Sequence, residues 1–184
     1  MLETDIPYRL GHLDYFFHAL KILTSDPPVS SVFLQFDTGH EIRGRMSVVT
    51  NAWVETGIIT CRVIADFLEG KVHPKYPDDV TIMHFEGSDG TNLKSLSRGC
   101  IVEAGPSEFS REFIARSIEF ALNAADKAVA HLTLADISDP EDVLLYQAAC
   151  RTLKSAIHIH LYDALGEPRP QSPMRIVSAP EPRI

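Results

Sequence analysis

Residues 51–68 read N-A-W-V-E-T-G-I-I-T-C-R-V-I-A-D-F-L, and this stretch decides the fold class. At about 100° per residue, Trp53, Val54, Ile58, Val63, Ile64, Phe67 and Leu68 fall on almost every side of a helix, the pattern of a helix at the centre of a bundle. Against that apolar background Asn51, Glu55, Arg62 and Asp66 converge within an arc of roughly 60°. The spacing therefore predicts a buried helix with a polar seam. It extends back to about Glu41 and is closed by Gly70, a natural C-cap, with Pro74 and Pro77 just beyond.

Helical periodicity continues to either side of this segment. Leu10, Leu13, Phe16, Phe17, Leu20 and Leu23 recur at intervals of three and four until Asp26-Pro27-Pro28 ends them. A third long helix is expected from near Ser107 to about Leu132, with Phe113, Phe120, Ala121, Ala124 and Ala128 on its apolar face. Asp139-Pro140-Glu141-Asp142 is a strong helix start, because Asp caps, Pro fits the first turn and acids face the positive end of the dipole. That fourth helix should run to Leu165 and stop at Gly166, with Tyr146, Cys150, Leu153, Ile157, Leu161 and Ala164 as its core stripe.

Only Val29–Phe36 (VSSVFLQF) reads as β-like, and it is left open between a strand, an extended connection and a helical turn. Residues 73–105 are rich in Gly, Asp, Ser and Pro and read as a long irregular connection with one short helix near Asn92 to Arg98. The expected fold is all-α: an up-and-down bundle of four or five helices in a single domain over residues 1–166. The Pro-rich segment 167–184 is expected to be a disordered or surface-draped tail.

Composition narrows the function classes. The 184 residues include 17 Lys and Arg against 25 Asp and Glu, a formal net charge of -8. An acidic chain is a poor nonspecific binder of nucleic acid or anionic membrane. The three cysteines, Cys61, Cys100 and Cys150, show no paired spacing, which argues against a disulfide framework or a cysteine zinc site and fits a reducing cytoplasm. The first residues lack the pattern of a signal peptide, and no apolar run is long enough to span a bilayer, so no membrane partner is expected.

The candidate chemistry lies on the seam. Arg62, one turn from Asp66 and two from Glu55, suggests an internal salt-bridge network, since a buried charge is costly unless paired. If the third helix is its neighbour, Lys127 and His131 join it. In a catalytic version His131 acts as general acid or base, Arg62 is an anion anchor, and Glu55 or Asp66 orients the histidine; Asn51 and Lys127 would bind ligand. The structural alternative is a network that fixes helix register and does no chemistry.

With 126–133 (D-K-A-V-A-H-L-T), the 51–68 run resembles the signature stretches of a group of uncharacterised bacterial helical proteins. Their pattern is Asn/Ala-x3-Glu-x6-Arg-x3-Asp-Phe, then a connection containing Asp-Asp-Val, matched here by Asp78-Asp79-Val80, then Asn-Lys-x-x-Ala-His-Leu-Thr. This chain has Asp126 where the other members tend to have Asn. The resemblance spans 51–133 and implies an all-α fold with a polar centre, without an established activity.

Arg151 and His158 on the fourth helix carry a weaker resemblance, to HEPN-type bundles, many of them metal-independent ribonucleases that use an Arg and a His four to six residues apart on one helix. Arg151 and His158 have six residues between them, a spacing that chance supplies roughly once or twice in a chain with this many Arg and His. His158 and His160 would project about 200° apart and cannot chelate one metal. No Gly-x-Ser-x-Gly elbow or phosphate-binding Gly-rich loop occurs, so neither a cofactor nor a metal is expected.

Taken together, the sequence points to a noncatalytic binding or interaction domain with a buried polar network. Its partner would be an unidentified small ligand or protein, and a homodimer is compatible with the apolar stripes. The alternative is an HEPN-like ribonuclease using Arg62/His131 or Arg151/His158; nucleic acid enters only as the substrate of that alternative.

Overall fold

Helix α1 (Asp5–Leu23) and helix α2 (Met46–Glu69) approach each other at a glycine. A Cβ placed on Gly57 would lie 2.2 Å from Cβ of Phe16, closer than any real contact, so only glycine lets the two backbones meet here. The Phe16–Gly57 contact and the facing pair His12 and Thr60 (3.5 Å) set α1 antiparallel to α2. The computed structural model describes residues 1–35, 38–72, 78–130, 137 and 139–172.

The remaining long helices are α4 (Arg111–Ala130) and α5 (Pro140–Ile157), with a short α3 (Arg98–Glu103) before them. Helix α2 packs against α1, α4 and α5, and α1 and α4 each pack against α5. The long helices thus form a ring in chain order, an all-α bundle. Its centre is aromatic: the Tyr146 ring stands 5.3 Å from Phe16 and 4.9 Å from Phe120, joining α5 to α1 and α4. Of the expected stripe, Tyr146, Cys150, Leu153, Ile157 and Leu161 are buried as the spacing predicts, and Ala164 is half-buried. Asp139 caps α5 by accepting a hydrogen bond from the Glu141 amide at 2.8 Å. The helix then widens into a π-helical turn, His158–Asp163, and stops at Gly166 with φ of 73°.

Several expectations are corrected. Residues 41–45 are not the start of α2: strand β1 (Ser31–Gln35) pairs antiparallel with strand β2 (Glu41–Arg45), with Val32 opposite Gly44 and Phe33 opposite Arg43. Gly39, at φ of 80°, supplies the left-handed residue in the intervening turn. The β-like run therefore finds its partner in residues expected to form the first turn of the helix.

Helix α4 starts at Arg111 rather than near Ser107, because the Ser110 hydroxyl accepts from the Phe113 amide at 3.1 Å. Its buried face centres on Ile114, Ile118, Ala121 and Ala125, leaving Phe113 and Phe120 half-buried at the flanks. Helix α3 begins just where the short helix was expected to end, capped by Ser97. The described part of the connection is also packed: Ile82 and Ile101 are fully buried, and the Leu96 amide donates to Leu68 O at 2.9 Å. Of the C-terminal segment, Glu167 donates its amide to Tyr162 O at 2.9 Å, and Arg169 grips Asp163 through two guanidinium nitrogens. Residues 173–184 lie outside the described residues.

Candidate functional site

The surface of α2 follows from its sequence angles. Val54, Ile58, Cys61, Ile64, Ala65 and Leu68 face the core, while Val48, Ile59 and Val63 are exposed on the opposite side. The helix is one wall of the bundle rather than its enclosed centre. The predicted seam accordingly lies at the edge of that wall. The Arg62 side chain is 36% exposed and Asp66 30%, so the expectation of a fully buried network is corrected.

The seam is one section of a longer chain of alternating charges. Arg62 Nη1 donates to Asp126 Oδ1 of α4 at 2.8 Å, and Arg62 Nε donates to Asp66 Oδ2 at 2.7 Å. Lys71 Nζ lies 3.5 Å from Asp66 Oδ1 and 2.5 Å from Glu69 Oε2. Arg98 of α3 then donates from Nε to Glu69 Oε1 at 2.6 Å. The series Asp126, Arg62, Asp66, Lys71, Glu69, Arg98 ties α4, α2 and α3 together. Its most enclosed member is Glu69, 10% exposed. The hydrogen bond to Asp66, with the charges of Asp66 and Asp126, holds the Arg62 pKa above its ordinary value despite partial burial.

The expected site residues separate accordingly. Arg62 and Asp66 come together. Glu55 is exposed and Asn51 half-buried, and neither joins the network among the described residues. Lys127 is exposed; its chain neighbour Asp126 takes the place expected for it. His131 lies outside the described residues. Arg151 is turned to Glu108, ahead of α4. His158 is half-buried, and its pKa responds to Lys154, Arg169, Asp163 and, from α1, Asp14. Among the described residues no group of three potential metal ligands occurs.

Two features went unseen in the sequence. The first is a polar cluster between α1 and α5, where Lys154 Nζ donates to Asp14 Oδ1 at 2.6 Å beside His158 and His18. Asp14 Oδ2 and His158 Nε2 are buried there without a hydrogen-bond partner among the described residues. Burial, reinforced by Lys154 and Arg169, lowers the His158 pKa.

The second is a cleft of about 660 Å³ beside the open face of α2, reaching α1 and the chain beyond Gly70. Ile6, Val63, Ile64, Phe67, Val72 and Val80 give it apolar walls; Tyr8, Arg9, Arg62, Asp66 and Lys71 supply its polar groups. Val63, read as a core position from the helical pattern, is 40% exposed at this cleft. Comparison of the chain with protein-family models, curated proteins and solved structures gives no match. Among the described residues, no helix is long and apolar enough to cross a membrane.

Proposed function

We propose that the protein is a noncatalytic binding domain that holds a small, mainly apolar molecule in the cleft between α1 and α2. The observation that carries this reading is the cleft itself. Its volume falls in the range of small-molecule sites, its walls are aliphatic and aromatic, and a few polar side chains gather at it. The charge chain supports the reading in a structural role. Arg62 and Lys71 already hold carboxylates, so their work is to brace the cleft-forming end of α2 against α3 and α4 rather than to attack a substrate.

The test is fluorescence titration with the uncharged apolar probe N-phenyl-1-naphthylamine. The expected result is saturable binding at one site, weakened at least tenfold by Val63→Asp in the cleft and unchanged by Leu144→Asp on the exposed side of α5. Both positions are exposed, so neither substitution should unfold the protein. Absent binding, or equal binding by both variants, would overturn the reading.

A further inference from the structure

The charges around the cleft are not all matched. Arg62 is held by Asp66 and Asp126, and Lys71 by Asp66 and Glu69. Asp5 sits 3.9 Å from the amino group of Met1, and Asp79 also lines the cleft. Arg9 differs from the cleft's other cationic groups, the Met1 amino group, Arg62 and Lys71. It is half-buried, and its guanidinium makes no ion pair or hydrogen bond among the described residues. Its guanidinium carbon lies 5.9 Å from the centroid of the Tyr8 ring. That distance is at the outer limit of a cation–π contact and leaves all five N–H donors unused. The unneutralised charge acts on its surroundings: the His12 pKa is lowered, first by burial and then by Arg9.

We infer that the cleft selects small-molecule monocarboxylates with an apolar tail, the carboxylate taken by Arg9 and the tail lying against Ile6, Val63 and Phe67. This rests on the cleft reading above and gives it a ligand class. A planar carboxylate meets the guanidinium fork through two parallel, charge-assisted hydrogen bonds, stronger than any that an uncharged head group makes there. An uncharged amphiphile of the same length offers the apolar contacts without that pairing. A second anionic group gains nothing comparable, because Arg62 and Lys71 are already neutralised.

Isothermal titration calorimetry with sodium decanoate and with 1-decanol compares ligands that differ only in the head group. Decanoate is expected to bind at least tenfold more tightly. Arg9→Gln should erase that preference, and Arg9→Lys should retain part of it, since a point charge replaces the fork. A circular dichroism melt checks each variant, and the wild-type comparison stands without any variant. Equal affinity for the two ligands, or a preference that survives in folded Arg9→Gln, overturns the inference and leaves the cleft reading intact. Failure of both ligands to bind overturns both.

Discussion

Arg62 of α2 bridges two carboxylates at once, Asp66 on its own helix at 2.7 Å and Asp126 of α4 at 2.8 Å. The bridge to Asp126 is open to water, with the Asp126 side chain 63% exposed, and the bridge to Asp66 is only half-buried, with that side chain 30% exposed. An exposed ion pair contributes about 0.2–1 kcal/mol, whereas breaking a buried one costs about 3–5 kcal/mol. Arg62→Ala should therefore destabilise by no more than about 1.5 kcal/mol in urea unfolding. A loss of 3 kcal/mol or more would place the network in the interior.

Gly57→Ala should destabilise although alanine is the better helix former. The propensity gain is at most about 1 kcal/mol, while the new methyl collides with Phe16 and overpacking costs about 1–3 kcal/mol. Phe16→Leu should recover part of the loss in a double-mutant cycle. A Gly57→Ala protein as stable as the wild type would show that α1 can shift outward freely.

The lowered pKa of His158 makes stability depend on pH with a definite sign. A folded-state value below the ordinary 6.5 means that the unfolded chain binds the proton more readily. This contribution is therefore present at neutral pH and is lost as pH falls through 6.5 towards the lower folded-state value. His12 and His18 are shifted in the same direction by their own burial and neighbouring cations. Unfolding free energy measured from pH 7.5 to 5.5 should decline, and His158→Asn should flatten the slope. An unchanged slope in that variant would assign the effect to the other two histidines.

Thiol reactivity should be strongly graded. Cys61 and Cys150 are buried, and burial together with the neighbouring Cys61 thiol raises the Cys150 pKa. Cys100 is half-exposed near the start of α3. An aromatic disulfide reagent should label Cys100 rapidly in the native protein and the other two only on unfolding. Rapid labelling of Cys61 would reveal frequent opening between α2 and α5.

The helices were legible where sequence alone satisfies their ends and faces. Asp139-Pro140 and Gly166 bound the last helical segment because cap and breaker are local chemistry. The polar seam was legible as an arc, but its burial was not. An apolar residue such as Val63 has the same periodicity whether its side faces a core or a ligand-sized cleft. Arg98 and Asp126 escaped notice because their pairing with Glu69 and Arg62 depends on how α3 and α4 meet α2, which helical angles do not encode; Lys71 lies beyond Gly70, where the helical pattern ends. Arg9 escaped for a similar reason: isolation is a property of neighbours, and those neighbours come from distant parts of the chain.

The seam between α1 and α5 has a temporal consequence. Tyr162 donates its hydroxyl to Leu2 O at 2.9 Å, and Lys154 reaches Asp14 at 2.6 Å. These contacts join residues separated by 160 and 140 positions in the chain. Loop-closure entropy opposes such contacts until the intervening helices have assembled. The last seam to close during folding should thus be this one, while α1 and α2 meet early through Phe16 and Gly57. Substitutions at Tyr162 should then accelerate unfolding with little effect on folding, whereas those at Phe16 should slow folding. The order of events is written in which helices are neighbours in sequence as well as in space.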